Sequence, residues 1–155
     1  VGLFDGIMRA NMEATGIGYD KEVEMIALAH EMDLLTTPYC FNEEEAQAMV
    51  KAGADMIVAH VGLTTGGTIG ATAAMTMDRA IEVTNSIADA SRAVRDDILV
   101  ICHGGPFDFP ENVAAALKKM PTVNGFYGAT SMERLPVERA IKEQVEAFKA
   151  IRLST

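Results

Sequence analysis

The chain has 155 residues, 49% apolar and 23% charged, a composition that suits one domain with a sizeable core. Its 13 Lys and Arg stand against 22 Asp and Glu, and the net charge of −9 argues against nucleic acid or an anionic membrane as partner, because both need a basic footprint. No apolar run approaches the ~20 residues of a membrane span, and two cysteines without C-x-x-C spacing read as reduced thiols of a cytoplasmic protein.

The chain opens directly on Val1-Gly2-Leu3-Phe4-Asp5-Gly6, without an initiator Met or a polar lead-in, and reads as the end of a strand. Ile7 to Ala14 follows as a short helix. Asp20 is placed to cap a firmer one, with Val23, Ile26, Ala27 and His30 at helical spacing; His30, on a helix face, reads as structural. Leu34 to Phe41 is β-rich, although Pro38 has no N–H for a ladder. Asn42-Glu43-Glu44-Glu45 supplies a cap and an acidic first turn for the next helix, which ends at Lys51-Ala52-Gly53 with Gly53 in the left-handed conformation. Met56 to Val61 is a strand that breaks into the glycine-rich stretch Gly62 to Gly70. A long helix from Met77 to Val94 carries Ala80, Ile81, Thr84, Ile87, Ala88 and Ser91 along one face. The strand Ile98-Leu99-Val100-Ile101-Cys102-His103 then stops at Gly104-Gly105-Pro106. A helix from Pro110 to Met120, a strand to Tyr127 and a last helix from Pro136 to about Ile151 complete the chain. The last helix repeats Val137, Ile141, Val145 and Phe148 on the 3.6 period.

Strands and helices alternate with short linkages across residues 1–155, so a single α/β domain of about five parallel strands with right-handed crossovers is expected. Pattern alone does not separate an open sheet from a piece of a barrel; a flavodoxin-like open parallel sheet is placed ahead, since a complete eight-stranded barrel takes about 250 residues.

The chemistry-bearing residues fall at strand ends. His60 and His103 terminate consecutive buried strands, and imidazoles at one sheet edge suit acid–base work on a shared ligand. Cys102, one residue earlier, points to the opposite side and reads as a core thiol. Loops containing Gly66 and Gly67, Gly104 and Gly105, and Gly128, Thr130 and Ser131 precede helices, where backbone N–H groups converge on an anion. Glu133 is a candidate acid or base, and also the last position of the capping-box pattern Thr130-Ser131-Met132-Glu133. Arg134 offers a planar fork to a carboxylate.

Five runs carry a resemblance that spans the chain: Val1 to Gly6, Glu13-Ala14-Thr15-Gly16-Ile17-Gly18-Tyr19, Ala59-His60-Val61 through Gly70, Cys102-His103-Gly104-Gly105-Pro106, and Gly125-Phe126-Tyr127-Gly128 through Pro136. In these it resembles the C-terminal part of the phosphoenolpyruvate hydrolase-like family of TIM barrels. The resemblance implies a partial (β/α)8 barrel running from the end of strand four through helix eight. It implies a hydrolase or lyase-type enzyme acting on a small phosphorylated or carboxylated acid, with His103 as acid–base and His60 as its partner or a ligand. The loops after the seventh and eighth strands would then cradle the substrate phosphate, and Asp5 would hold a divalent metal such as Mg. The alternative is a non-catalytic barrel serving as a regulatory or ligand-sensing module. An arc of a barrel leaves open edges, so a homo-oligomer or a complementary fragment is expected as partner.

Overall fold

Two strands, β2 (Met56–His60) and β3 (Leu99–His103), form the centre of the computed structural model, which describes residues 2–4 and 6–152. They run parallel and in full register, with Met56 opposite Leu99 and His60 opposite His103. The short β1 (Tyr39–Cys40) pairs with the outer side of β2, and β4 (Gly125–Phe126) with β3, so the four-stranded parallel sheet has the sequential order β1-β2-β3-β4. That order is not the 2-1-3-4-5 of a flavodoxin-like sheet; sequential neighbours are the order of strands around a barrel. The expected fifth strand at the start of the chain falls partly outside the described residues, with Gly2 and Leu3 in a turn.

Among the described residues, six helices accompany the sheet: α1 (Gly6–Ala14), α2 (Tyr19–Glu31), α3 (Glu43–Lys51), α4 (Met77–Val94), α5 (Pro110–Leu117) and α6 (Arg134–Lys149). Side chains alternate along each strand. Ile57, Ala59 and Val100 pack under α2, α3 and α4 with Met49 and Ile87, whereas Val61 and Cys102 join Ala80, Phe107 and Val113. The alternate positions, Val58 and His60 on β2 and Ile101 and His103 on β3, therefore belong to the other face. Cys40 and Cys102 are free thiols in the helix-side core, and burial pushes their pKa values up, to about 12 and about 11. No helix among the described residues is long and apolar enough to cross a membrane.

The local signals act as physical chemistry requires. Asn42 caps α3 by accepting from the Glu45 N–H at 2.9 Å, while the Glu45 carboxylate reaches back to the Phe41 N–H at 2.9 Å. Replacing Asn42 by Ala should cost about 1 kcal/mol in a urea unfolding titration, the usual loss for an N-cap. At the far end of α3, Gly53 (φ +94°) turns the chain so that Ala54 N–H bonds Met49 O and Gly53 N–H bonds Val50 O, the double bond of a Schellman ending. The His30 ring lies against Gly53 where any Cβ would collide with it, which is a structural role.

Three expectations change. Helix α2 starts at Tyr19 behind Gly18, so Asp20 sits within the first turn and makes no cap bond, acting there on the helix dipole alone. The Leu34–Phe41 strand shrinks to two residues. The carbonyls of Thr36 and Pro38 still accept from Met56 and Val58, but Pro38 has no N–H to return. Most visibly, Val137, Ile141, Val145 and Phe148 of α6 are 51–64% exposed, and only Leu135 of that helix is buried. Helix α6 docks through its first turns, by Leu135, Arg134 and the Arg139 guanidinium over the Phe109 ring, and no described residue covers the rest of its apolar stripe. Leu3, Phe4, Ile7 and Met8 are likewise exposed, beside an α1 that buries none of its residues.

Candidate functional site

Because β2 and β3 pair in register, their last residues arrive side by side at the carboxyl edge. The imidazoles of His60 and His103 lie 4.9 Å apart between ring centroids, inclined at 62°, and both residues are buried. Aromatic rings surround them. Tyr39 stacks on His103 (5.1 Å, 13°) and meets His60 edge-on (4.9 Å, 60°). Phe41 lies 4.7 Å from His60, and Tyr127 5.8 Å from His103. Tyr39 and Tyr127 belong to opposite ends of the sheet, three strand spacings or ~14 Å apart on a flat surface. Their rings nevertheless come within 6.4 Å, leaning inward over the shared face.

The two histidines are held in opposite tautomers. Nδ1 of His103 lies 2.6 Å from the backbone carbonyl of Tyr127; a carbonyl only accepts, so that nitrogen carries the proton and donates. The Gly62 N–H lies 3.1 Å from Nδ1 of His60; an N–H only donates, so that nitrogen carries the lone pair. Neutral His103 is left with a lone pair on Nε2, and neutral His60 with a proton on Nε2. Neither Nε2 has a hydrogen-bond partner among the described residues. The site thus presents one acceptor and one donor from adjacent rings.

Burial, reinforced by the neighbouring His103, lowers the His60 pKa from 6.5 to about 4, so this ring is neutral near pH 7. Unfolded chains bind a proton at this histidine below about 6.5 and folded ones only near 4, so stability is lost as pH falls through that window. The loss at the acid end should approach ~3 kcal/mol. Urea unfolding of wild type and His60→Gln between pH 7 and 4 checks this: the difference between the two should shrink as pH falls. The comparison is needed because the carboxylates of Glu43, Asp55 and Glu138, lowered by their hydrogen bonds, lose stability in the same direction at lower pH.

The glycine loops interlock rather than standing open. Gly105 N–H donates to Gly62 O at 2.8 Å, and Gly105 O accepts from both the N–H and the hydroxyl of Thr65. The Thr65 hydroxyl also meets the Asp108 carboxylate at 3.0 Å. Gly104 lies against Gly62 and the His60 ring, at the histidine pair. Gly66 and Gly67 are drawn to α6 instead, where Arg134 donates to Gly66 O at 3.1 Å and to Glu138 at 2.8 Å. Glu138 in turn accepts from the Thr68 N–H at 2.9 Å. The Arg134 fork is therefore engaged within the protein, pinning the loop after β2 to the start of α6.

The remaining candidates lie after β4. Gly128, Thr130 and Ser131 lie in a turn before α6: Ala129 O accepts from Met132 and Glu133, and Thr130 O from Arg134 and Leu135, the first two residues of the helix. The Glu133 N–H is taken by Ala129 O, so the expected capping box does not form, and Glu133 is exposed at the cap position without a side-chain cap bond. Ser131 faces a separate, largely apolar cavity of about 290 Å³ beside α5 with Phe109, Phe126 and Met132. Asp5 lies outside the described residues, and among those described no three His, Cys, Asp or Glu gather around a metal position. The aromatic shell of Tyr39 and Phe41 was not read from the sequence; their alternation about the buried Cys40 was the available signal.

A family model described as phosphoenolpyruvate hydrolase-like matches residues 1–151. The ToMV susceptible protein tm-1(GCR26) and the ToMV resistance protein Tm-1(GCR237), both of Solanum lycopersicum, are each 56% identical over 151 residues, 97% of this chain. The putative transcriptional regulatory protein y4pA of Sinorhizobium fredii (strain NBRC 101917 / NGR234) is 32% identical over 149 residues, 95% of this chain. The chain spans only 20% of the two plant proteins and 24% of the bacterial one. Among solved structures, N-acetylmannosamine-6-phosphate 2-epimerase from Clostridium perfringens overlaps 81% of this chain and 48% of its own at 16% identity and a TM-score of 0.49. Nitroalkane oxidase from Streptomyces ansochromogenes overlaps 71% and 31% at 25% identity and a TM-score of 0.45. Overlaps this partial carry no argument about chemistry.

Proposed function

The chain belongs to the phosphoenolpyruvate hydrolase-like family, and from that premise we propose that the paired histidines hydrolyse a small phosphorylated enol acid at the carboxyl edge of a partial barrel. The observation that carries this reading is the opposite tautomers of His60 and His103. A lone pair on one ring beside a proton on the next is what acid–base hydrolysis needs. His103 Nε2 takes a proton from a water whose oxygen attacks phosphorus. As that bond forms, the phosphorus bond to the enol oxygen breaks, and the His103 proton passes to the departing oxygen. The enol then becomes the keto acid. His60 Nε2–H orients the substrate by a hydrogen bond to its carboxylate or bridging oxygen. Its pKa of about 4 keeps this donor neutral at working pH.

No step here runs through a metal. The His60 lone pair, on Nδ1, is taken by the Gly62 N–H, and Asp5 is the residue that would have to bring a divalent ion such as Mg. Sequential parallel strands and inward-leaning rings support the barrel reading. The uncovered stripes of α1 and α6 support further chain, a second copy or a complementary fragment, as the partner that completes it. Sedimentation alone and with an added N-terminal fragment separates these two.

A second reading, a ligand-sensing module, is favoured by one observation: Gly105, Thr68 and Arg134 spend donors inside the protein instead of offering them to an anion. Incubation with phosphoenolpyruvate decides between them. Equimolar phosphate and pyruvate support hydrolysis. Amide shifts around His60 and His103 without phosphate release support the sensor.

A further inference from the structure

Tyr39 lies in neither step of that chemistry, yet its ring touches both imidazoles. It stacks nearly parallel on His103 and meets His60 edge-on. It is also anchored from behind. The Tyr39 carbonyl accepts from the buried Tyr19 hydroxyl of α2 at 2.7 Å, and the β1–β2 ladder sets Tyr39 opposite Val58, two residues before His60. The preceding Pro38 is tied to β2 by the Val58 N–H at 3.0 Å.

The His103 ring is held in its own plane by one hydrogen bond, from Nδ1 to the Tyr127 carbonyl. One bond fixes a point but lets the ring turn about it. A flat neighbour fixes the plane, because aromatic faces lose contact when they tilt. We propose that Tyr39 is a positioning residue: its face locks the His103 ring in the plane in which Nδ1 reaches Tyr127, and so keeps Nε2 as the free lone pair. The hydroxyl is not needed for this, since no hydrogen bond to it is made among the described residues. The inference rests on the histidine-pair reading of the site, but its first readout needs no substrate.

The test is a pair of variants, Tyr39→Phe and Tyr39→Leu, examined by nitrogen-15 NMR of the histidine rings. Wild type and Tyr39→Phe should show His103 in the single Nδ1–H tautomer. Tyr39→Leu, which fills the space without a flat face, should show both tautomers. Should Tyr39→Leu fail to fold, Tyr39→Met supplies the flexible apolar side chain, and ring-to-ring Overhauser contacts in wild type report the stacking directly. An unchanged tautomer in Tyr39→Leu or Tyr39→Met overturns the proposal. So does loss of the tautomer in Tyr39→Phe, which would assign the role to the hydroxyl. With phosphoenolpyruvate as substrate, kcat should fall about tenfold in Tyr39→Leu at nearly constant KM and stay within about twofold in Tyr39→Phe. A wild type without turnover defeats the hydrolase reading while leaving the tautomer result standing.

Discussion

Replacing His103 by Asn should lower turnover of phosphoenolpyruvate by roughly 10²- to 10⁴-fold, the usual contribution of a positioned acid–base group. Asparagine is the informative substitution. Its amide N–H can still donate to the Tyr127 carbonyl that His103 Nδ1 reaches at 2.6 Å, so the local bond survives while the basic Nε2 disappears. The loss should fall on kcat with KM little changed, because the group acts on the proton of the attacking water and not on substrate affinity. His60→Gln should behave differently, raising KM more than it lowers kcat, since His60 supplies a donor that orients the substrate. Full turnover in His103→Asn would remove His103 from the chemistry. The urea midpoint measured alongside separates lost catalysis from lost fold.

Gly104→Ala should destabilise the protein by about 3 kcal/mol or more, and should damage the site at the same time. Two costs combine. The backbone at Gly104 has φ +80°, a left-handed conformation that costs a side-chain-bearing residue about 1–3 kcal/mol. A Cβ there would also collide with the Gly62 carbonyl oxygen, with the His60 ring next in line. Backbone has to move, and the Gly105 N–H bond to that same carbonyl is lost with it. Gly16→Ala is the matched control. Gly16 has φ +81° with nothing within 4 Å of the added Cβ, so it bears the conformational cost alone. Chemical unfolding of the two variants should therefore differ by the collision, with Gly104→Ala the lower by about 2 kcal/mol. Equal losses would show that the two loops separate without cost and that their interlock does not shape the edge.

Much of this arrangement was legible because its causes are local. Short apolar runs stopped by glycines give the strands that end in His60 and His103, and consecutive parallel strands put those ends together. Asn42 and Gly53 declare the two ends of α3 through side-chain and backbone chemistry within three residues. What stayed hidden depends on distant partners. The period of Val137, Ile141, Val145 and Phe148 says that an apolar face exists, but not whether anything covers it, and here no described residue does. The tautomers depend on Gly62 N–H and Tyr127 O, backbone groups that carry no residue-type signal. Arg134 looked available because one partner, the Gly66 carbonyl, meets it only once the loop after β2 folds across to α6, although Glu138, four residues on in the same helix, is a local partner. Tyr39 and Phe41 read as ordinary β-formers because their neighbours in the site come from two other strands.

The tie between Glu138 and the Thr68 amide has one more consequence. That N–H donates to a carboxylate seventy residues further along the chain, so its exchange with solvent deuterium measures the seating of α6 and not the stiffness of its own loop. Protonating Glu138, whose pKa is lowered chiefly by its bond from Arg134, removes the acceptor's charge and should free the amide. A single backbone proton in a glycine-rich loop thus becomes a gauge of whether the last helix is docked, readable residue by residue while the rest of the protein stays folded.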